Sequence, residues 1–223
     1  STNTGTASGS PAWGTDGKFG RYMTFDDTND YVNVGANGSL NLGSLTVEGW
    51  FYGVTTGENA IFTKSKDGEV GTPAYGVFVV DGAIKTRFNG GGFSTVTNTV
   101  STNTWTHFAV THDGATTCKI YINGTLIDTI TQDASPSNST NAYIGQNGAG
   151  SQYLNGRLQH LRVSNVVRTS FPYVLNTEPS ISAGTETTTQ PPASTFDLYG
   201  GGSDGKVYKW DGATTTWLPT PTV

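Results

Sequence analysis

The chain has 223 residues, of which 13% are charged and 11% are aromatic, and its formal net charge is −5. The charged share is about half that of an average globular protein and strong helix formers are scarce, which disfavours a helical bundle, a coiled coil and a doubly wound α/β enzyme. The sequence has no run of Lys and Arg to neutralise phosphates, so no nucleic-acid partner is predicted. No apolar run approaches the roughly 20 residues that cross a bilayer as a helix, so no membrane insertion is predicted.

Short runs of alternating apolar and polar residues occupy the chain from Phe19 to Val163. Two of these runs are each separated from the next by a turn dipeptide, Asp-Gly at residues 81–82 and Asn-Gly at residues 123–124. Both dipeptides accept the positive φ angles of type I′ turns and therefore predict tight antiparallel hairpins. Turn residues recur about every 8–12 residues, as in β sandwiches and barrels. The sequence therefore predicts an all-β fold with helix content near zero. The predicted strands are Phe19–Phe25, Tyr31–Val34, Leu45–Tyr52, Ala60–Thr63, Tyr75–Val80, Ala83–Phe88, Thr95–Val100, Thr106–Thr111, Lys119–Ile122, Thr125–Thr131, Ala142–Ile144 and Gly156–Val163.

The loop between the first two predicted strands is rich in side-chain oxygens. It contains Asp26, Asp27, Asn29 and Asp30. Since Ca²⁺ binds several carboxylate, amide and carbonyl oxygens in flexible loops, this loop is a predicted calcium site and Ca²⁺ is the candidate cofactor. The alternative is an Asx-rich turn whose carboxylates bind their own backbone.

The composition of the chain changes after residue 175. Residues 176–195 contain Thr, Ser and three prolines without apolar periodicity, which predicts an extended linker. Residues 196–223 hold three short strand-like runs, and this segment is too small to fold alone. Its apolar residues are therefore predicted to make contacts within an assembly. These residues are Phe196, Tyr199, Tyr208, Trp210 and Trp217.

The sequence carries no catalytic motif. Glycoside hydrolases need two carboxyl groups placed together, about 5 Å apart when configuration is retained. Glu48 and Asp128 are each the single acidic residue of their predicted strand. The three histidines, His107, His112 and His160, lack metal-binding spacing, and His107 is predicted to be a packed strand residue. No enzymatic activity is therefore predicted.

Aromatic side chains are the other group that can build a binding site. Sugars stack their C–H faces on aromatic rings and hydrogen-bond to nearby polar groups. Trp50 and Trp105 lie in strand-like runs and are interpreted as core residues. The predicted carbohydrate contacts are residues in or beside loops, namely Trp13, Tyr75, Phe93, Asn147 and Tyr153.

Seven segments, in this order, carry a family resemblance: KFGRYMTFDDTNDYVNVG, LNLGSLTVEGWFY, AIFTKS, NTWTHFAVTHDG, KIYINGTLID, AYIGQ and YLNGRLQHLRVSNVVR. Together they resemble the laminin G-like, concanavalin A-type jelly-roll family over Lys18–Arg168. The ending RVSNVVRTSFP is similar to versions found in phage tail-fibre and other virion appendage proteins. The resemblance implies two antiparallel sheets packed face to face, and it adds weight to a calcium site because many laminin G-like domains bind Ca²⁺ at their rim.

Four regions are predicted: an N-terminal extension (residues 1–17), a jelly-roll domain (18–175), the linker (176–195) and a small β docking segment (196–223). The resemblance and the missing catalytic acids together predict a non-enzymatic tail-fibre or capsid decoration protein at the virion surface, in an extracellular setting. Its predicted partners are a cell-surface glycan, other virion structural proteins and further copies of itself. A purely structural decoration protein and a glycoside hydrolase are the alternatives.

Overall fold

The computed structural model describes residues 5–67, 69–135 and 139–171, with Glu69, Val70 and three strands between residues 199 and 219 described by their backbone alone. These residues form sixteen strands and a short 3-10 helix at Gly38–Leu40. The strands are β1 (Thr6–Ser8), β2 (Ala12–Gly17), β3 (Gly20–Asp26), β4 (Tyr31–Gly35), β5 (Ser44–Gly53), β6 (Glu58–Lys66), β7 (Glu69–Val80), β8 (Ala83–Phe88), β9 (Thr106–Asp113), β10 (Thr117–Ile122), β11 (Thr125–Thr131), β12 (Ala142–Ile144), β13 (Asn155–Ser164), β14 (Tyr199–Gly201), β15 (Val207–Asp211) and β16 (Thr216–Pro219). Within this described part, no helix has the length and apolarity needed to cross a membrane.

The strands form two sheets. The smaller has the order β1-β4-β12-β6-β7-β8, and the larger contains β11-β10-β9-β5-β13. The far edge of β13 is shared, because β3 pairs with its first half and β14 with its second half, and β2 lies beyond β3. All pairings are antiparallel except that of β13 with β14. The predicted all-β, two-sheet jelly roll is confirmed.

The two predicted hairpins are present and have the expected backbone. Asp81 and Gly82 have φ angles of 46° and 81°, and they join β7 to β8. Asn123 and Gly124, at 50° and 80°, join β10 to β11. Aspartate, asparagine and glycine tolerate this left-handed region better than other residues, so the sequence determines these turns locally.

The main core lies between the sheets. It takes alternate residues from each strand, because successive side chains of a strand point to opposite faces. On β5 these are Leu45, Val47 and Phe51, all fully buried. Burial of apolar surface at about 25 cal/mol per Å² makes this layer the main source of stability.

Residues 6–17, predicted as an extension, contribute to both sheets. β1 pairs with β4 in the smaller sheet, and β2 pairs with β3 in the larger one. The body of the fold therefore includes strands that precede Lys18.

The strand predicted at Thr95–Val100 is not formed. Instead, residues 94–100 run along the edge of β8 and bind it partly through side chains. Asn98 Oδ1 accepts a hydrogen bond from the Ile84 N–H at 2.7 Å, and Asn98 also donates to Asp128 on β11 at 2.9 Å. This segment thus connects the edges of the two sheets, and side-chain bonds replace part of the ladder that a strand would need.

The backbone of the C-terminal segment extends the larger sheet. β14 pairs with β13 through Tyr199 and Arg162, and β15 and β16 follow in order. The linker predicted at residues 176–195 and Phe196 lie outside the described residues. The other four predicted assembly residues, Tyr199, Tyr208, Trp210 and Trp217, lie on these strands, where only the backbone is described.

Candidate functional site

The outer face of the larger sheet, which points away from the core, carries most of the unusual chemistry. On β5 this face presents Glu48, Trp50 and Tyr52, in alternation with the core residues. The antiparallel register places Tyr52 opposite Arg157 of β13 and Trp50 opposite His107 of β9. Residues from three strands therefore form transverse rows across this face.

The row that contains Trp50 is covered by the connection between β2 and β3. The Phe19 ring meets Trp50 edge to face at 5.2 Å between centroids, and the Lys18 ammonium lies 4.9 Å from the Trp50 centroid. The buried Gln159 amide fixes this connection, because it accepts from the Phe19 N–H at 3.1 Å and donates to the Arg21 carbonyl at 3.0 Å. Trp50 is buried as a result, although it does not belong to the main core.

A second cover comes from residues 165–171. The Phe171 ring lies 4.7 Å from Tyr121 and 6.0 Å from His107. Arg168 of the same segment forms an ion pair with Glu48, whose side chain is only 4% exposed. His107 is a packed strand histidine, as predicted, and burial lowers its pKa to about 4.

Beyond these covers, one group of aromatic and cationic side chains remains partly exposed. The Trp105 ring lies 5.4 Å from Tyr52 and 6.0 Å from Tyr22 between centroids. The Arg157 guanidinium lies 4.7 Å from the Tyr22 centroid and 5.0 Å from that of Tyr52. Tyr22 is buried beneath, whereas Tyr52, Trp105 and Arg157 reach solvent. We call these four residues the Trp105 patch.

Asp16 borders the Trp105 patch. Its carboxylate accepts a hydrogen bond from the Tyr22 hydroxyl at 2.9 Å, and this bond lowers the pKa of Asp16 and raises that of Tyr22. Gly14 makes room for the tyrosine, because a Cβ there would lie 2.1 Å from the Tyr22 ring. The patch thus combines fixed aromatic faces with an anionic and a cationic group, which is the mixture that recognises a hydroxylated ring.

Two carboxylates of the predicted calcium loop accept hydrogen bonds from the protein's own backbone. Asp26 accepts hydrogen bonds from the N–H groups of Thr28 and Asn29 at 2.9 and 3.3 Å, and the bond from Thr28 is the main cause of its lowered pKa. Asp30 is buried and accepts from the Ser10 N–H at 2.6 Å. Asp27 has a φ of 65°. Among the residues described, no three His, Cys, Asp or Glu side chains cluster as a metal site. Calcium binding by this loop stays a prediction.

The structure places the predicted carbohydrate contacts in different parts of the fold. Tyr153 lies near the calcium loop, since the neighbouring Leu154 carbonyl accepts from the Asp27 N–H at 3.0 Å. Trp13 is 38% exposed on β2. Phe93 lies in the segment after β8 and packs against Phe78 of the smaller sheet, at 5.1 Å between ring centroids. These three residues therefore do not form a single site.

Two of the predicted contacts are buried. Tyr75 is 1% exposed, because β7 begins at Glu69 and places it in mid-strand, where its hydroxyl donates to the Leu40 carbonyl. Asn147 is buried, and its amide is occupied by its own loop. Its Nδ2 donates to Ser151 and Gln152, both at 2.9 Å.

The Trp105 patch was missed because Trp105 was assigned to the core. It precedes β9 and lies on the outer face beside Tyr52. One signal was available, since alternation along β5 places Tyr52 on the face opposite to Phe51. The sequence did not show that, within the described ranges, no residue covers this part of the outer face.

Residues 26–170 match the laminin G-type family described as the concanavalin A-like lectin/glucanases superfamily. The chain belongs to this superfamily. Its jelly roll is therefore a member of a group that includes both lectins and glucanases, and the family alone does not separate binding from catalysis. Among curated proteins, no sequence matches the chain.

Solved structures share the fold at low sequence identity. Domain 4 of AbnA, an extracellular GH43 arabinanase from Geobacillus stearothermophilus, is 17% identical with a TM-score of 0.54, and the match covers 69% of this chain and 80% of that one. The binding domain of Paraclostridial Mosquitocidal Protein 1 is 17% identical with a TM-score of 0.56, covering 74% and 45%. The botulinum neurotoxin serotype G binding domain is 11% identical with a TM-score of 0.55, covering 74% and 44%. The chain thus spans less than half the length of either toxin domain.

Proposed function

We propose that the chain is a non-enzymatic carbohydrate-binding domain that holds its ligand on the Trp105 patch. In the biological setting proposed, it belongs to a virion appendage, a tail fibre or capsid decoration, and attaches the particle to glycans of the host surface. The observation that carries the binding function is the exposure of this patch on a face that is otherwise covered by Phe19 and Phe171.

The chemistry of the patch suits a sugar. A pyranose presents an apolar C–H face that stacks on an indole ring, and Trp105 offers such a ring. Two tyrosines hold Trp105 in place, so little side-chain entropy is lost when a ligand binds. Asp16 can accept and Arg157 can donate hydrogen bonds at the edge of the same surface.

The contacts of the two acidic strand residues argue for a binding function and against a hydrolytic one. Glu48 is buried in its ion pair with Arg168. Asp128 accepts hydrogen bonds from Thr97 and Asn98 and fastens the segment between the sheets. Both acids therefore have structural roles, whereas a glycosidase needs a pair of carboxyl groups that flank the substrate.

Similar proteins supply further support. Domain 4 of the arabinanase was solved in complex with arabinotriose, and two other structures of the same fold are binding domains of toxins. The setting in a virion is supported by the resemblance of the sequence motifs to phage tail-fibre proteins.

A glycan array with purified variants tests the function and its location. We expect selective binding by the wild-type chain and a loss of at least about tenfold in Trp105→Ala, because base or sugar stacking on an aromatic ring contributes on the order of 1–3 kcal/mol. Trp105→Phe should retain part of the affinity. Leu126→Ala, an exposed apolar residue on β11, is the matched control and should bind normally.

Three results would redirect the proposal. Loss of binding in Trp13→Ala but not in Trp105→Ala would move the site to β2. The absence of selective binding would favour a structural decoration protein that stabilises the assembly. Release of new reducing ends from a bound polysaccharide would establish a glycoside hydrolase.

A further inference from the structure

Arg157 is held in a fixed orientation. It lies on β13, and its guanidinium packs between the rings of Tyr22 and Tyr52, at 4.7 and 5.0 Å from their centroids. Cation–π packing on two faces restricts the side-chain rotamers before any ligand arrives. The cation is therefore preorganised, which lowers the entropic cost of a contact.

The donors of Arg157 are not used within the described part of the protein. No hydrogen bond or ion pair there involves its guanidinium, although an arginine carries five N–H donors. Three other arginines differ. Arg162 donates to Ser164 at 3.0 Å, Arg168 pairs with Glu48, and Arg87 donates to the Gly91 carbonyl at 2.9 Å. Arg157 thus presents an unoccupied donor edge to solvent.

The nearest anionic group does not occupy that edge. The Tyr22 hydroxyl is the main cause of the lowered pKa of Asp16 and Arg157 lowers it further, but the carboxylate and the guanidinium form no ion pair within 4.0 Å. The Asp16 carboxylate instead accepts from the Tyr22 hydroxyl. Arg157 therefore remains available to an anion that a ligand brings.

We propose that the Trp105 patch selects glycans that contain uronic acids, through a paired hydrogen bond from Arg157 to the sugar carboxylate. This inference rests on the proposed binding function of the patch. The planar guanidinium matches a carboxylate in a two-point contact, which is stronger and more specific than a contact with a neutral hydroxyl. Trp105 and Arg157 pack on the same two tyrosines, so one sugar ring can stack on the indole while its carboxylate meets the guanidinium.

Calorimetric titration with matched ligands tests this selectivity. The probes are trisaccharides of galacturonate and of glucuronate, each as the free acid and as its methyl ester, which keeps the ring and removes the charge. We expect at least one acid form to bind the wild-type chain about tenfold or more tightly than its ester. Arg157→Gln should remove this difference, and Arg157→Lys should restore only part of it because an ammonium lacks the planar two-point geometry.

Controls separate the contact from general charge effects. Arg87→Gln is the matched variant, since Arg87 also packs on a ring, 5.2 Å from the Phe93 centroid, but on the smaller sheet. It should leave the preference for the acid unchanged. Dextran sulfate provides anionic oxygens without carboxylates, and we expect it to compete weakly with the bound acid. Melting temperatures verify that each variant is folded.

The outcomes distinguish the selectivity for uronic acids from the carbohydrate-binding function on which it rests. If a neutral ester binds as tightly as its acid and Trp105→Ala abolishes both, the carboxylate selectivity is wrong and carbohydrate binding stands. If Arg157→Gln retains the preference for the acid, or dextran sulfate displaces the acid at equal affinity, the assignment to Arg157 and a carboxylate is overturned. If no saccharide binds, charged or neutral, both proposals fail.

Discussion

The two faces of β5 are both largely buried, but they are buried in different ways. The inner residues, such as Val47 and Phe51, pack against the opposite sheet in a continuous apolar core. The outer residues Glu48 and Trp50 are covered by single residues from distant segments. The inner face of β5 is thus buried by the opposite sheet as a whole, whereas its outer face is buried by individual side chains from separate segments.

This difference explains why a binding surface can exist on the outer face. An inner position cannot be exposed without opening the sandwich. On the outer face, Phe19 and Phe171 cover some rows and leave the row of Tyr52 partly exposed. Binding residues can occupy that row with little cost to the fold, because stability depends mainly on the other face.

The largest difference in the free energy of unfolding should be found between alanine substitutions of two adjacent residues on opposite faces of β5. Phe51→Ala removes a fully buried ring and should lower the free energy of unfolding by about 3–5 kcal/mol. Tyr52→Ala, one residue away, should lower it by about 1 kcal/mol or less, because Tyr52 is partly exposed. Urea denaturation measures both. Equal losses for the two variants would contradict the contrast between the faces.

A titratable group on the outer face should make stability depend on pH. The pKa of His107 is lowered from 6.5 to about 4 by burial. As the pH falls below 6.5, the unfolded chain gains a proton at His107 that the native state does not take up until about pH 4. The contribution of His107 to the free energy of unfolding is therefore fully present above pH 6.5. It decreases as the pH falls towards 4, by at most roughly 3 kcal/mol.

The contribution of His107 is isolated by comparing the pH dependence of unfolding in the wild-type chain and in His107→Gln. The variant should lose less stability between pH 6.5 and 4. Parallel curves for the two proteins would show that His107 is protonated in the native state at neutral pH or that its burial has no effect.

The cover formed by residues 165–171 should depend on the charge of Glu48. Glu48→Gln keeps the shape of the side chain but removes the ionised acceptor of Arg168, and should lower the free energy of unfolding by about 1.5–3 kcal/mol, the range for hydrogen bonds to charged groups. Arg168→Gln alone and the double variant complete a thermodynamic cycle. Additive losses would show that the two side chains do not interact.

The smallest change in the free energy of unfolding should come from a substitution in the partly exposed Trp105 patch. Arg157→Gln should change the free energy of unfolding by less than about 1 kcal/mol, because the Arg157 side chain is partly exposed and its contacts are cation–π contacts with the rings of Tyr22 and Tyr52. Thermal unfolding measures this change. A much larger loss would assign Arg157 to the support of the fold, and the separation of binding from stability on this face would no longer hold.

The sequence determined the elements of the fold and their local geometry. Asp81 with Gly82 and Asn123 with Gly124 fixed two hairpins through backbone preferences that need no distant partner. Alternation placed His107 on the face opposite to Phe108, because the two-residue period of a strand is a local property. The ordered motifs were sufficient to identify the superfamily that the family match confirms.

Tertiary structure decided which faces are covered, and this is where prediction from the sequence was wrong. Tyr75 was expected beside a loop, but the length of β7 places it in the core, while Trp105 was expected in the core and lies at a partly exposed row. Alternation states which residues share a face but not what lies over that face. On β5 the cover depends on Arg168, 120 residues away, and contacts over such a separation leave no periodic signal in the sequence.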